Sequence, residues 1–207
     1  VYNASRTRSE DWPEDIIHIP IDVLSGLDIL AEHLPENLHG LVYAVGSINL
    51  KPFSRYTEGD FINDYKLNVI GAARTIQLAY RSLKNAGSSS IVLISSVAAQ
   101  TGMSYHSSIA AAKGGVESLA LSLAAEFASQ NIRVNVVAPS LTDTYLAGNL
   151  LNTPEKRDAS AKRHPLGRIG KPEDISSAIS FLLSDESGWI SGQVIGIDGG
   201  MGNLKTL

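Results

Sequence analysis

The sequence contains no cysteine. That excludes a thiolate nucleophile, a disulfide framework and any cysteine-bearing metal site, and makes a cytoplasmic location the default expectation. Charge is also sparse: Asp, Glu, Lys and Arg make up 18% of the residues and leave a net charge of −4. Such a balance offers no electrostatic footprint for nucleic acid or for an anionic membrane surface, so neither is expected as a partner. No apolar run approaches the roughly 20 residues of a membrane-spanning helix. The five histidines (18, 33, 39, 106 and 164) are scattered without metal-ligand spacing, so no metal site is expected. Internal repeats and low-complexity segments are absent as well.

What is present is 43% hydrophobic residues in a chain of 207, sufficient for one domain with a real core. Residues 1–207 read as that single domain. Its opening residues, Val1 to Ala4, resemble the tail of a strand. Strand patterns recur at Ile16–Ile21, Gly40–Gly46, Ile91–Ile94, Arg133–Ala138 and Gln193–Ile197. They are continuous and apolar, as parallel strands covered on both faces are. Helical spacing lies between them, at Leu24–Leu34, Asp60–Lys84, Ser107–Phe127 and Pro172–Ser184, with shorter pieces near Tyr145–Leu151 and Pro154–Lys162. Strands alternating with helices of this length predict a parallel sheet with helices on both faces: a doubly wound, three-layer α/β fold.

One segment concentrates the chemistry. From Ser95-Ser96, at the end of an apolar strand, the chain runs into an Ala-rich helix carrying Lys113. Open α/β sheets place their sites at the carboxyl ends of strands. Taken alone, Ser96 is a strand-end hydroxyl and Lys113 a solvated helix lysine; only within the family resemblance that the motifs below carry does their joint spacing with Asn68 point to a site.

These residues and the C-terminal motifs, Pro165-Leu166-Gly167-Arg168-Ile169-Gly170-Lys171-Pro172-Glu173-Asp174-Ile175 and Ser191-Gly192-Gln193-Val194-Ile195-Gly196-Ile197-Asp198-Gly199-Gly200, resemble the short-chain dehydrogenase/reductase family over nearly the whole chain. The resemblance implies a Rossmann-like sheet and hydride transfer between a nicotinamide and a carbonyl or alcohol substrate. It assigns the carbonyl-binding serine to Ser96, the lysine that holds the nicotinamide ribose to Lys113 and the proton-relay asparagine to Asn68. It implies cofactor contacts at Gly46, Lys113, Pro139 and Thr144, and adenine contacts at Asp22-Val23. Asp22 also reads simply as a strand-end turn residue. Arg6 and Thr7 sit where the family selects its cofactor. A basic residue there suits the 2′-phosphate of NADP better than the free ribose of NAD, so NADP is the expected cofactor. Arg6 also reads as an ordinary turn charge.

The chain departs from the family's pattern in four places. Four residues before Lys113, and thirteen after Ser96, the catalytic tyrosine is replaced by Ile109. Isoleucine can neither give nor take a proton. Tyr105 and His106, at the head of the helix, are the candidate substitutes. Tyr43-Ala44-Val45-Gly46 stands in place of Asn-Asn-Ala-Gly, and Pro139-Ser140 in place of Pro-Gly. Last, the family's first strand and its glycine-rich turn have no counterpart. Gly196, Gly200 and Gly202 match the spacing of that turn, but only five residues follow, too few for the required helix. The expectation is that roughly thirty further residues, a strand, turn and helix of usual lengths, stand upstream in the natural chain. Without the strand, the sheet should open by about two strand spacings, nearly 10 Å, between Ala4 and Leu41.

Two functions follow. One is an NADP-linked oxidoreductase with an altered acid–base group. The other is a non-catalytic nucleotide-binding or assembly protein on the same fold, which the loss of the tyrosine and of the strand-end asparagines favours. Small residues on the two long helices (Gly71, Ala72 and Ala73; Ala110, Ala111, Gly114 and Gly115) and the resemblance of Gln193–Leu207 to a family interface imply a homodimer or homotetramer. The substrate is not readable.

Overall fold

Six short strands run parallel in the computed structural model, which describes residues 1–205. Thr206 and Leu207, the end of the expected C-terminal interface, lie outside the described residues. β1 (Tyr2–Ser5) pairs with β2 (Ile17–Pro20). β3 (Gly40–Tyr43), β4 (Ser89–Ile94), β5 (Ile132–Pro139) and β6 (Val194–Ile197) form a second ladder in that order. No ladder joins β1 to β3, so the array is in two parts at the position where the sequence predicts an opening. The flanks carry its mark: Val42 of β3 is 38% exposed, and the buried Asn3 Oδ1 of β1 lacks a partner.

The centre of the second ladder explains the continuous apolar runs. Ile91, Leu93, Val134 and Val136 face a core shared with the long helices α3 (Gly71–Asn85) and α4 (Ser107–Phe127). Val92 and Val137 face the other way, onto Leu182 of α6 (Pro172–Leu183). Both faces are therefore covered, which is the three-layer arrangement expected of parallel strands.

The long-helix pattern is realised as α2 (Glu58–Tyr65), a π-helical turn (Lys66–Ile70) and α3, without interruption. Thr57 and Asp60 close a capping box at its start, and Gly87, at φ +73°, follows its end. The helical spacing at Leu24–Leu34 yields less: one 3₁₀ turn (Leu27–Ile29) and the single-turn α1 (Leu30–His33). Leu34 is extended because the ring of Pro35 disfavours helical backbone in the residue before it. α5 (Pro154–Ala161) follows a 3₁₀ segment at Tyr145–Leu150.

Two of the small residues read as interface formers are engaged inside the chain. A Cβ on Gly115 would stand 3.0 Å from Val69, so this glycine lets α4 approach the π turn. Gly71 makes room for Tyr43.

Candidate active site

The carboxyl ends of β3, β4 and β5 open onto one cavity of about 720 Å³. Gly46, Ser96, Lys113, Pro139 and Thr144 line it, five of the residues assigned from sequence. Asn68 is buried just behind Gly46, since a Cβ on that glycine would lie 3.4 Å from both Asn68 Oδ1 and Lys113 Nζ. Arg6, Thr7, Asp22 and Val23 belong to the β1–β2 part and do not line the cavity. Arg6 and Thr7 are exposed, and Asp22 Oδ1 accepts from Leu24 N–H at 2.9 Å as a turn residue does.

The two adjacent serines have different roles. Ser95 is buried and donates to the Glu117 carboxylate at 2.6 Å, which joins β4 to α4. Ser96 Oγ accepts from Ala98 N–H at 3.2 Å and caps a short turn, which leaves its own O–H proton free for a ligand in the cavity. Lys113 is buried, and its Nζ donates to Ile94 O at 2.7 Å. Burial disfavours its charge and brings its pKa down to about 8, while the charge of Asp64 pulls the other way.

Asn68 lies in the π turn, a distortion that often marks functional sites. Its Nδ2 donates to Asp64 O at 2.8 Å, and its Oδ1 is buried without a partner. An unmet acceptor beside a buried ammonium is costly unless a ligand or water completes it. Asp64 itself was not read from the sequence. It is buried and accepts from Ser47 Oγ (2.8 Å), Asn49 Nδ2 (3.3 Å) and Ser108 Oγ (2.6 Å). It thereby joins the β3 loop, α2 and α4 around Lys113. Nothing in the local pattern distinguishes it from an exposed helix aspartate, because its donors come from the β3 loop and from α4, two segments far from it in the chain.

Ile109 is buried and lines the cavity with an apolar side chain. Of the two candidate substitutes, His106 lines this cavity and Tyr105 does not. Tyr105 is 59% exposed at φ +69°, and its carbonyl accepts from Tyr56 Oη at 2.8 Å. The glycines that mimic a phosphate turn are otherwise engaged: the Asp198 carboxylate accepts from Gly200 N–H and Gly202 N–H, each at 2.8 Å. Among the described residues, no group of three potential metal ligands forms a site. No helix there is long and apolar enough to cross a membrane.

The family model described as enoyl-(acyl carrier protein) reductase matches residues 20–202. The chain belongs to the short-chain dehydrogenase/reductase family. A tropinone reductase homologue of Arabidopsis thaliana is 40% identical over 79% of this chain and 63% of its own length. The chain spans between about half and somewhat less than two thirds of the length of the curated relatives it matches. Among solved structures, the ligand-free aldohexose dehydrogenase of Thermoplasma acidophilum superposes with a TM-score of 0.90 at 26% identity, over 100% of this chain and 86% of that one. A gluconate 5-dehydrogenase from Burkholderia cenocepacia, solved with NADP and tartrate, gives 0.85 at 25% identity, over 92% and 76%. The family's open sheet and strand-end site agree with the geometry described above.

Proposed function

We propose that this protein is an NADP-linked oxidoreductase acting on a carbonyl or alcohol substrate, with an acid–base apparatus that does not use a tyrosine at position 109. The observation that carries this reading is the set around Gly46: a buried ammonium on Lys113, an unmet carbonyl oxygen on Asn68, and no side chain between them. That arrangement fits the nicotinamide end of a dinucleotide, which needs a close approach to the backbone, a positive charge and polar partners.

In this reading Lys113 and Thr144 hold the nicotinamide end, with Gly46 and Pro139 as backbone walls. Arg6 and Thr7 receive the 2′-phosphate, and Asp22-Val23 contact the adenine. When bound, the reduced cofactor supplies a hydride to a carbonyl carbon. Ser96 donates its free O–H to the carbonyl oxygen and orients it. Lys113 stabilises negative charge at the cavity floor, where burial strengthens electrostatic interactions. Asn68 completes the polar wall behind Gly46. The relative solved with NADP supports this choice of cofactor. The reading extends to a cytoplasmic, single-domain protomer that assembles as a dimer or tetramer.

Ile109 favours a second reading, a nucleotide-binding or assembly protein without turnover, because a buried isoleucine can transfer no proton. Fluorescence titration with NADPH and NADH, followed by assay against aldehydes and ketones, separates the two. The enzyme reading expects tighter binding of NADPH and measurable turnover in the wild-type protein. Binding without turnover, with turnover appearing only in Ile109→Tyr, would establish the second reading instead.

A further inference from the structure

On the wall of the cavity formed by the end of β5, two residues that the sequence reading left without a role meet. Ser140 Oγ lies 2.8 Å from His164 Nε2, and both residues line the cavity. His164 is only 3% exposed. Its Nδ1 lies 2.8 Å from Ser160 O. A carbonyl oxygen can only accept, so Nδ1 carries a hydrogen in every charge state of the ring. Nε2 is then free to change. It accepts from the Ser140 hydroxyl when the ring is neutral and donates to it when the ring is protonated. The backbone of Ser140 is tied down as well, since its carbonyl accepts from Thr142 Oγ1 at 3.1 Å.

This is a hydroxyl with a fixed imidazole behind it, the arrangement used to move protons to or from a reacting oxygen. It is also close to the site. Ile94 of β4 is in register with Val137 of β5, so two residues further on Ser96 comes alongside Pro139. Ser140 is therefore within about two strand spacings, roughly 10 Å, of Ser96, across the mouth of one cavity. Ser96 and Ser140 line the same cavity, so a carbonyl group held by Ser96 would lie in the space that Ser140 also borders.

We propose that Ser140 is the catalytic proton donor and acceptor that Ile109 is not, and that His164 is the positioning residue that loads it. This inference rests on the oxidoreductase reading above. In the direction of reduction, the carbonyl carbon gains its hydride from the dihydronicotinamide cofactor, and the oxygen takes the proton of Ser140 Oγ–H. The serine oxygen regains a proton from Nε2–H of the His164 imidazolium, whose Nδ1–H stays on Ser160 O. The ring ends neutral and takes its next proton from water after the alcohol leaves. In oxidation each proton moves the opposite way.

Other groups around His164 could shape a pH profile. Among the described residues, the other ionisable groups lining the cavity are His106, Lys113, Lys156 and Arg163, with no carboxylate. Asp198, which follows β6, has both carboxylate oxygens engaged by the Gly200 and Gly202 N–H groups. The elements packed on His164 thus bring cations to the cavity but only one imidazole besides its own, and His106→Gln serves as the control.

The test combines turnover with a measurement that needs no cofactor. Ser140→Ala is expected to lower kcat by about 10²-fold or more, with KM and NADPH affinity changed less than about threefold. His164→Gln is expected to remove the limb of the kcat profile along which reduction slows as pH rises; His106→Gln is expected to retain it. In Ile109→Tyr, the Ser140→Ala change is expected to have little effect, because the tyrosine takes over the proton. In the cofactor-free protein, the His164 ring nitrogen resonances are expected to move in Ser140→Ala, because Nε2 loses its hydroxyl partner. His164 ring resonances that are unchanged in Ser140→Ala overturn the proposal. So does a Ser140→Ala enzyme with wild-type kcat and pH profile, an outcome that leaves the oxidoreductase reading standing. A wild-type protein that binds NADPH but reduces no carbonyl until Ile109→Tyr is made overturns both.

Discussion

The hydroxyl of Tyr43 occupies the space where a side chain on Gly71 would begin. Tyr43 Oη donates to Leu67 O at 2.6 Å, and a Cβ built on Gly71 would overlap that same hydroxyl. The π turn makes this possible. Gly71 N–H reaches back to Lys66 O rather than to Leu67 O, and Leu67 O takes the tyrosine instead. β3 is thus joined to the helix at the turn that carries Asn68. Burial pushes the Tyr43 phenol well above its ordinary value, so this donor keeps its proton at any working pH.

Gly71→Ala should therefore destabilise the protein by about 1–3 kcal/mol, the usual cost of forcing a methyl group into filled space. Tyr43→Phe alone should cost about 1 kcal/mol for the lost hydrogen bond. Combining the two should be far less than additive, because the phenylalanine clears the nearest atom. The alanine can then contribute its helix preference of about 0.5–1 kcal/mol over glycine. Urea denaturation of the four proteins measures the coupling; strict additivity would show that the overlap is relieved some other way.

Asp64 makes a second junction. Removing its carboxylate leaves the Ser47, Asn49 and Ser108 donors without their shared acceptor. Hydrogen bonds to a charged group contribute about 1.5–3 kcal/mol, so Asp64→Ala should lose at least that much and lower the melting temperature by several degrees. Ser108→Ala should lose less, since the carboxylate retains two partners. Calorimetry of both variants is the check. Equal melting temperatures for wild type and Asp64→Ala would contradict this account.

Lys113 predicts a pH dependence of stability. Its pKa is near 8 in the folded protein against an ordinary value of 10.5. Between those values the unfolded chain binds more protons at this position than the folded one, so the contribution to stability rises with pH through that window. Below about 8 the penalty of holding a buried charge is fully present; above 10.5 it has been relieved. The stability of wild type relative to Lys113→Met should therefore increase from about pH 7 to about pH 10. Denaturation curves at the two pH values decide it, and an unchanged difference would mean that Lys113 titrates normally.

Ile109→Tyr should raise turnover. Restoring a positioned acid–base group is worth about 10²–10⁴-fold where none operates, and less where Ser140 already supplies the proton. Because residue 109 lines the cavity, the larger ring has room to enter it. Single-turnover reduction of a test aldehyde by the variant and the wild type gives the ratio. A slower variant would show that the wall cannot accept the ring.

The strand and helix pattern was legible in the sequence because both faces of β4 and β5 are covered, which demands unbroken apolar runs. The role expected of Lys113 was legible only through the family resemblance, whose motif is compact enough on one helix to be matched by position. The helix expected over Leu24–Leu34 shrank to a 3₁₀ turn and a single α-helical turn, for periodicity does not register that Pro35 holds Leu34 extended. On α4 Ala120 and Ala124 are buried in the core, while Leu119 and Leu123, which the spacing from Val116 to Phe127 equally admits, are only partly buried.

The chain's own residues therefore determine the alternation of elements, the serine and lysine at strand end and helix, and the absence of a tyrosine four residues before that lysine, since each depends on spacing within one segment. Only the tertiary structure decided which of two neighbouring serines keeps a free hydroxyl, that Asp64 collects donors from two distant segments, and that Ser140 and His164 touch. Those relationships join residues dozens of positions apart. They are set by how parallel strand ends converge, and sequence spacing carries no record of that convergence.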